Sequence, residues 1–151
     1  MSEISDGGAV VIRAFAPADY DRVMELWAEG RLPLKPRGRD SRARIERQVR
    51  QPNVLFLVAE AAGRVVGTVL ATDDGRKGWI NRLAVDAAWR RRGIGRRLVG
   101  EAERRLAAAG MEIFACLIEA GNEVSMEVFE SLGYKKHPEI IYFAKRFSPD
   151  V

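Results

Sequence analysis

The run Arg90-Arg91-Arg92-Gly93-Ile94-Gly95-Arg96-Arg97-Leu98 constrains this chain more than any other stretch. It follows a short apolar segment, residues 79–85. It opens a helical pattern in which Ile94, Leu98, Val99, Ala102 and Leu106 recur on one face. A strand, a Gly-x-Gly turn and a helix start thus come in immediate succession. The two glycines bring backbone N–H groups close to a ligand with no Cβ in the way. The helix start adds donors that lack intrahelical acceptors, and the positive end of its dipole. The arginines add permanent charge and forked donors that match phosphate oxygens. Arginine is common throughout this chain, 20 of 25 basic residues, so a plain solvated helix start competes with this reading. Two glycines at the turn favour a phosphate cradle, and so a polyphosphate ligand.

The remaining pattern fits one domain over 1–151, with residues 1–8 as a polar tail. Strands are expected at 10–15, 54–60, 65–71, 79–85, 112–118 and 140–147, from β-branched and aromatic runs bounded by turn residues. Helices are expected from Pro17 to Gly30, after Asp40 or Ser41 as cap, over 95–109, and over 122–132. A meander then enters a β-α-β unit. The expected fold is α/β (α+β), with a mixed, mostly antiparallel sheet flanked by helices. The strands on either side of the long helix form its parallel pair.

That order, with two segments, resembles the Gcn5-related N-acetyltransferase superfamily. The first segment runs from Asn81-Arg82-Leu83-Ala84-Val85 through Arg90-Arg91-Arg92-Gly93-Ile94-Gly95-Arg96. The second is Asn122-Glu123-Val124-Ser125-Met126-Glu127-Val128-Phe129-Glu130-Ser131-Leu132-Gly133-Tyr134. The resemblance covers nearly the whole chain. It implies acetyl transfer from acetyl-coenzyme A to an amine, by direct attack in a ternary complex. It also implies that the parallel strands splay apart around the pantetheine. Carried over, backbone of Arg91, Arg92, Gly93, Ile94 and Gly95 and side chains of Arg90 and Arg96 would meet the pyrophosphate. Backbone of Leu83, Ala84 and Val85 would meet the pantetheine amides, and Asn122, Ser125 and Phe129 would face the same arm.

Catalytic residues follow less directly. Many relatives carry a carboxylate where this chain has Asn81 and Arg82, so Glu119, after the next expected strand, becomes the candidate base, with a strand-end surface carboxylate as its plain alternative. The tyrosine acid of many relatives is matched by Phe129. Ser125 or a water would then donate to the leaving thiolate, which is a fair leaving group by itself. Asn122 also suits simple N-capping. Cys116 reads as a small core residue, His137 as a turn residue, and the three tryptophans as packing.

Charge adds a second theme. The net charge is +4, yet residues 31–50 hold eight basic and two acidic side chains. The resemblance puts this segment beside the acceptor pocket, so Arg37, Arg39 and Arg42 are candidates for an acidic group on the acceptor, against a solvated surface. A non-catalytic acetyl-coenzyme A sensor, or a basic module contacting nucleic acid, is the alternative. No aromatic residue is interleaved in 31–50, which counts against nucleic acid. One His and one Cys give no metal-ligand spacing, so no metal is expected. No run is long and apolar enough for a membrane span, and the start of the chain is polar. The expectation is a cytoplasmic enzyme acting on a small-molecule or peptide amine, with homodimer formation left open.

Overall fold

The computed structural model describes residues 9–151; the tail expected at 1–8 lies outside them. β2 (Val54–Ala61) is apolar at nearly every position, and this dictates its place. A strand without polar alternation must be covered on both faces. Phe56 and Val58 pack with Phe15, Val23, Leu26, Trp27 and Ile45. Leu57 and Ala59, between and beside them, pack with Val69, Ile80, Leu98, Val99 and Phe129. The first core lies under α1 (Tyr20–Glu29) and α2 (Arg42–Gln48). The second lies under α3 (Ile94–Ala108) and α4 (Glu123–Ser131). Helices therefore cover both faces of the sheet.

Among the described residues the sheet has five strands, in the order β1-β2-β3-β4-β5. β1 (Val10–Ala14), β2, β3 (Arg64–Asp73) and β4 (Gly78–Val85) are antiparallel neighbours, and β5 (Phe114–Ala115) joins β4 in parallel. This is the mixed, mostly antiparallel sheet expected, with its parallel pair flanking α3. Ser41, rather than Asp40, caps α2, its hydroxyl accepting from the Arg44 N–H at 3.3 Å. The first turn of the expected first helix is a 3-10 turn, Pro17–Asp19.

Two expected strands are corrected. The one over 112–118 shrinks to two residues, pairing Gly78 with Phe114 and Trp79 with Ala115. The one over 140–147 does not form, and Ile140, Ile141, Tyr142 and Phe143 stand exposed. Both corrections have one cause. Beyond Ala115 the chain leaves β4, and the Leu117 N–H goes to Asn81 Oδ1 at 3.0 Å. Strand propensity expresses a fit to a pleated neighbour, and no ladder continues there to supply one. The C-terminal segment is held instead by the loop between α1 and α2. Lys35 Nζ donates to the Pro149 carbonyl at 2.9 Å, and Arg37 pairs with Asp150 at 3.0 Å. Gly38 permits this crossing, since a Cβ there would run into the Asp150 carbonyl.

Candidate active site

The site begins with a bend in β4. The β3–β4 register shifts between Thr68 and Leu70, and Arg82 takes a φ of 58°. A left-handed conformation costs a non-glycine residue about 1–2 kcal/mol, so its surroundings must hold it. Thr68 is fully buried and does part of this. Its hydroxyl donates to the Arg82 carbonyl at 2.9 Å and accepts from Trp27 Nε1 at 3.1 Å. The Arg82 guanidinium lies over the Trp27 ring at 4.8 Å, donates to the Pro33 carbonyl, and reaches Asp40 at 3.3 Å. Asp40 is buried and also accepts from the Lys35 N–H at 2.8 Å. Burial draws the Arg82 pKa down, with Asp40 opposing. Past Trp79, no described residue pairs with the β5 side of β4. Leu83, Ala84 and Val85 therefore border a gap.

That gap joins a series of cavities. At one end, a cavity of about 340 Å³ is lined by Val85, Arg90, Arg91, Gly93, Gly95 and Arg96. Gly93, at φ 79°, caps α3, and its left-handed turn aims the helix start at this space. The first amides of a helix have no intrahelical acceptor, and those of 93–96 find none elsewhere among the described residues. Arg90 Nε donates to the Val85 carbonyl at 3.2 Å, so this arginine ties the turn to β4. Arg92 is not part of the lining; its guanidinium lies over the Trp89 ring at 4.6 Å. Asp86 secures the same turn by accepting from the Ala88 N–H at 2.8 Å and from Arg22 of α1. These donors hold its carboxyl below the usual range, Ala88 foremost.

The next cavity, about 610 Å³, runs along Leu83, Ala84 and Val85 to α4. It shares Leu83, Glu119, Asn122 and Ser125 with a third cavity of about 430 Å³. The structure thus brings both candidate catalytic residues to the junction of two cavities. Glu119 stands exposed on the loop after β5, four residues beyond its end, because the strand expected to run up to it stops at Ala115. Asn122 caps α4, its Oδ1 accepting from the Ser125 N–H at 3.2 Å. Phe129 is buried, edge-on to Tyr134 with ring centroids 4.9 Å apart. The Tyr134 hydroxyl donates to Glu103 at 2.6 Å, and burial together with that carboxylate pushes its pKa well up. Tyr134 is therefore committed to α3 and offers no acid to the junction.

Cys116 lines the third cavity, where burial pushes its thiol up to about 11, so it stays protonated at neutral pH. His137 lies exposed in a turn beside Glu139, as expected. Among the described residues no cluster of His, Cys, Asp or Glu is placed to hold a metal, and no helix is long and apolar enough to cross a membrane. Of the three arginines named as acceptor candidates, Arg39 lines this cavity and Arg37 and Arg42 do not; sequence reasoning missed Tyr142 and Arg146 as its neighbours, and gave Asn81 and Arg82 no positive role. The basic stretch 31–50 was the signal for Arg39. Nothing in the sequence pointed to the C-terminal pair, whose place depends on a strand that does not form.

A diphosphate fits the first cavity by the chemistry of its donors: free helix-start amides, flanking arginines, and a glycine turn without side chains. Comparison with known proteins shows the family and the fold. The model of the acetyltransferase (GNAT) family matches residues 20–134. An acetyltransferase of Photorhabdus laumondii is 35% identical over 140 residues, covering 92% of this chain and 96% of the relative. Among solved structures, the aminoglycoside N-acetyltransferase AAC(6')-Iy in complex with coenzyme A superposes with a TM-score of 0.73 at 19% identity, over 91% of this chain and 95% of that one. The PaiA N-acetyltransferase of Thermoplasma acidophilum, also with coenzyme A, gives a TM-score of 0.71 at 19% identity, over 84% of this chain and 90% of its own. By the family match and the curated relative together, this chain belongs to the GNAT family of acetyltransferases.

Proposed function

We propose that this protein transfers an acetyl group from acetyl-coenzyme A to an amine, by direct attack within a ternary complex. The observation that carries this reading is the junction: Leu83, Glu119, Asn122 and Ser125 line both the cavity running to the arginine turn and the cavity beyond it. Two substrates entering from opposite sides meet at those residues. In this reading Arg90, Arg91 and Arg96, with the amides of 93–96, hold the pyrophosphate. Backbone of Leu83, Ala84 and Val85 pairs with the pantetheine as an added strand would, and an N–H of this segment polarises the thioester oxygen. Glu119 takes a proton from the acceptor's ammonium, directly or through water, so that the free amine attacks, and Ser125 or water protonates the departing thiolate. One observation favours a second reading, an acetyl-coenzyme A sensor without turnover. Phe129 keeps an aromatic ring in the cavity beyond the junction but has no proton to give.

Thiol release from acetyl-coenzyme A over a panel of amines tests both. Glu119→Gln is expected to cut turnover by about a hundredfold near neutral pH, with a smaller loss at high pH, where the amine sheds its own proton. A Glu119→Gln enzyme at full rate would move the base to water. Phe129→Tyr is expected to keep or raise turnover. If neither wild type nor Phe129→Tyr releases thiol while both bind acetyl-coenzyme A, the sensor reading replaces the enzyme.

A further inference from the structure

We infer that the acceptor is a small amine carrying an oxyanion group, a carboxylate or phosphate, which binds on Arg39, Arg44 and Arg47. This rests on the acetyl-transfer reading above and names its acceptor class. The cavity beyond the junction sets Arg39, Arg82 and Arg146 against a single carboxylate, Glu119. Through Arg39, Asn81 and Arg82 it continues into a further cleft that adds Arg44 and Arg47, where Asp40 is the sole carboxylate among the described residues. Five arginines thus face two carboxylates along one path.

Their hydrogen bonds show which arginines are available. Arg82 is engaged by Asp40 and Pro33. Asp40 Oδ2 also takes the Lys35 N–H, so it is saturated. Arg39 Nε lies 3.9 Å from that same oxygen, beyond hydrogen-bond range, and its side chain is 40% exposed. The ion pairs of this region use Arg39, Arg42 and Arg82, leaving Arg44 and Arg47 without a carboxylate among the described residues. The forks of Arg39, Arg44 and Arg47 therefore present donors shaped for an oxyanion.

The same charge acts on the other end of the acceptor. A positive field disfavours an ammonium and favours the free amine that must attack. An acceptor with one amine and one oxyanion gains on both counts. A polycation meets the like charge of Arg39, Arg82 and Arg146, so the aminoglycosides named with several structural neighbours are a poor match. Tyr142 and Arg146 add to the lining of this cavity, whose volume of about 430 Å³ suits a small molecule.

The test compares amines matched in length: glycine to 6-aminohexanoate, O-phosphoethanolamine, and the corresponding α,ω-diamines. Each is read twice, by thiol release and by direct calorimetric binding to the coenzyme A-loaded protein. The oxyanion series is expected to exceed the diamines at least tenfold in kcat/KM. Arg39→Ala is expected to lose about tenfold, in KM rather than kcat, as removal of one charged hydrogen bond in uniform binding should. Arg39→Glu should reverse the order of the two series. Arg44→Ala supplies a second, independent variant, and the thermal shift with acetyl-coenzyme A reports whether each has folded. β-Alanine against O-phosphoethanolamine decides between carboxylate and phosphate. Equal or better use of diamines overturns the inference and leaves acetyl transfer standing. Oxyanion-selective binding without thiol release for any amine keeps the anion site and removes the enzyme reading. Neither selectivity nor thiol release removes both.

Discussion

Gly93 and Gly95 sit two residues apart and answer to different physics. Gly93 needs its left-handed φ of 79°, so a β-branched residue there strains the backbone whatever the ligand does. Gly95 is helical, and a Cβ on it would meet Val128 at an ordinary 3.7 Å. Gly95→Val is therefore expected to fold and to lose the acetyl-coenzyme A stabilisation, which in wild type should reach about 2.7 kcal/mol at a hundred times Kd. Gly93→Val should lose the shift and about 1–2 kcal/mol of stability without ligand. Urea melts with and without acetyl-coenzyme A separate the two, and an intact shift in both variants would move the pyrophosphate elsewhere. Thr68→Val is expected to cost about 1–3 kcal/mol, because it leaves the buried Trp27 N–H without its acceptor. A melt unchanged by that substitution would show that the bulge is held by Arg82 alone. The glycine turn was legible because its residue types admit few other uses. Thr68 was not, since a threonine in a strand is ordinary until its partners across the core are known.

The same contrast holds between elements. The turn, α3 and the antiparallel strands were readable because each satisfies itself locally or pairs with its neighbour in sequence. The C-terminal run Ile140-Ile141-Tyr142-Phe143 has equal strand propensity, yet its order depends on whether β5 continues, and that is settled by Asn81 reaching across to Leu117. Asn81 is thus the bracket that keeps the splayed pair at a fixed separation beyond its two paired residues. Asn81→Ala frees the Leu117 N–H and is expected to speed hydrogen exchange over 116–121, with KM rising for both substrates. Exchange at the wild-type rate would show that the loop is held from its other side. The candidate site follows the same rule. Its cradle came from contiguous residues, whereas its acceptor end gathers Arg39, Asn81, Glu119 and Tyr142 from four separate stretches.

Across the whole molecule, acid is expected to loosen the anchoring of the helices. Asp19 is held below the usual carboxylate range, first by Arg13 and also by the Ala16 N–H. Asp86 is held low by Ala88 and then Arg22. A carboxyl more acidic in the folded than in the unfolded state stabilises fully above its unfolded pKa, about 3.9, and loses that contribution as pH falls through its folded value. Melting temperature should therefore drop below about pH 4, less steeply in Asp19→Asn; identical slopes would remove Asp19 as a cause. The tryptophans offer a different window on the same molecule. Trp89 lines the cavity at the arginine turn, and Trp27, buried in the core, lies under Arg82, which lines the cavities at the other end. Their indoles are built-in fluorophores for separate events, Trp89 for the nucleotide end and Trp27, through the field of Arg82, for the acceptor end. In Trp89→Phe the emission change on adding acetyl-coenzyme A should shrink and the response to acceptor should persist, so the order in which the two substrates bind becomes readable in a stopped-flow trace without any label.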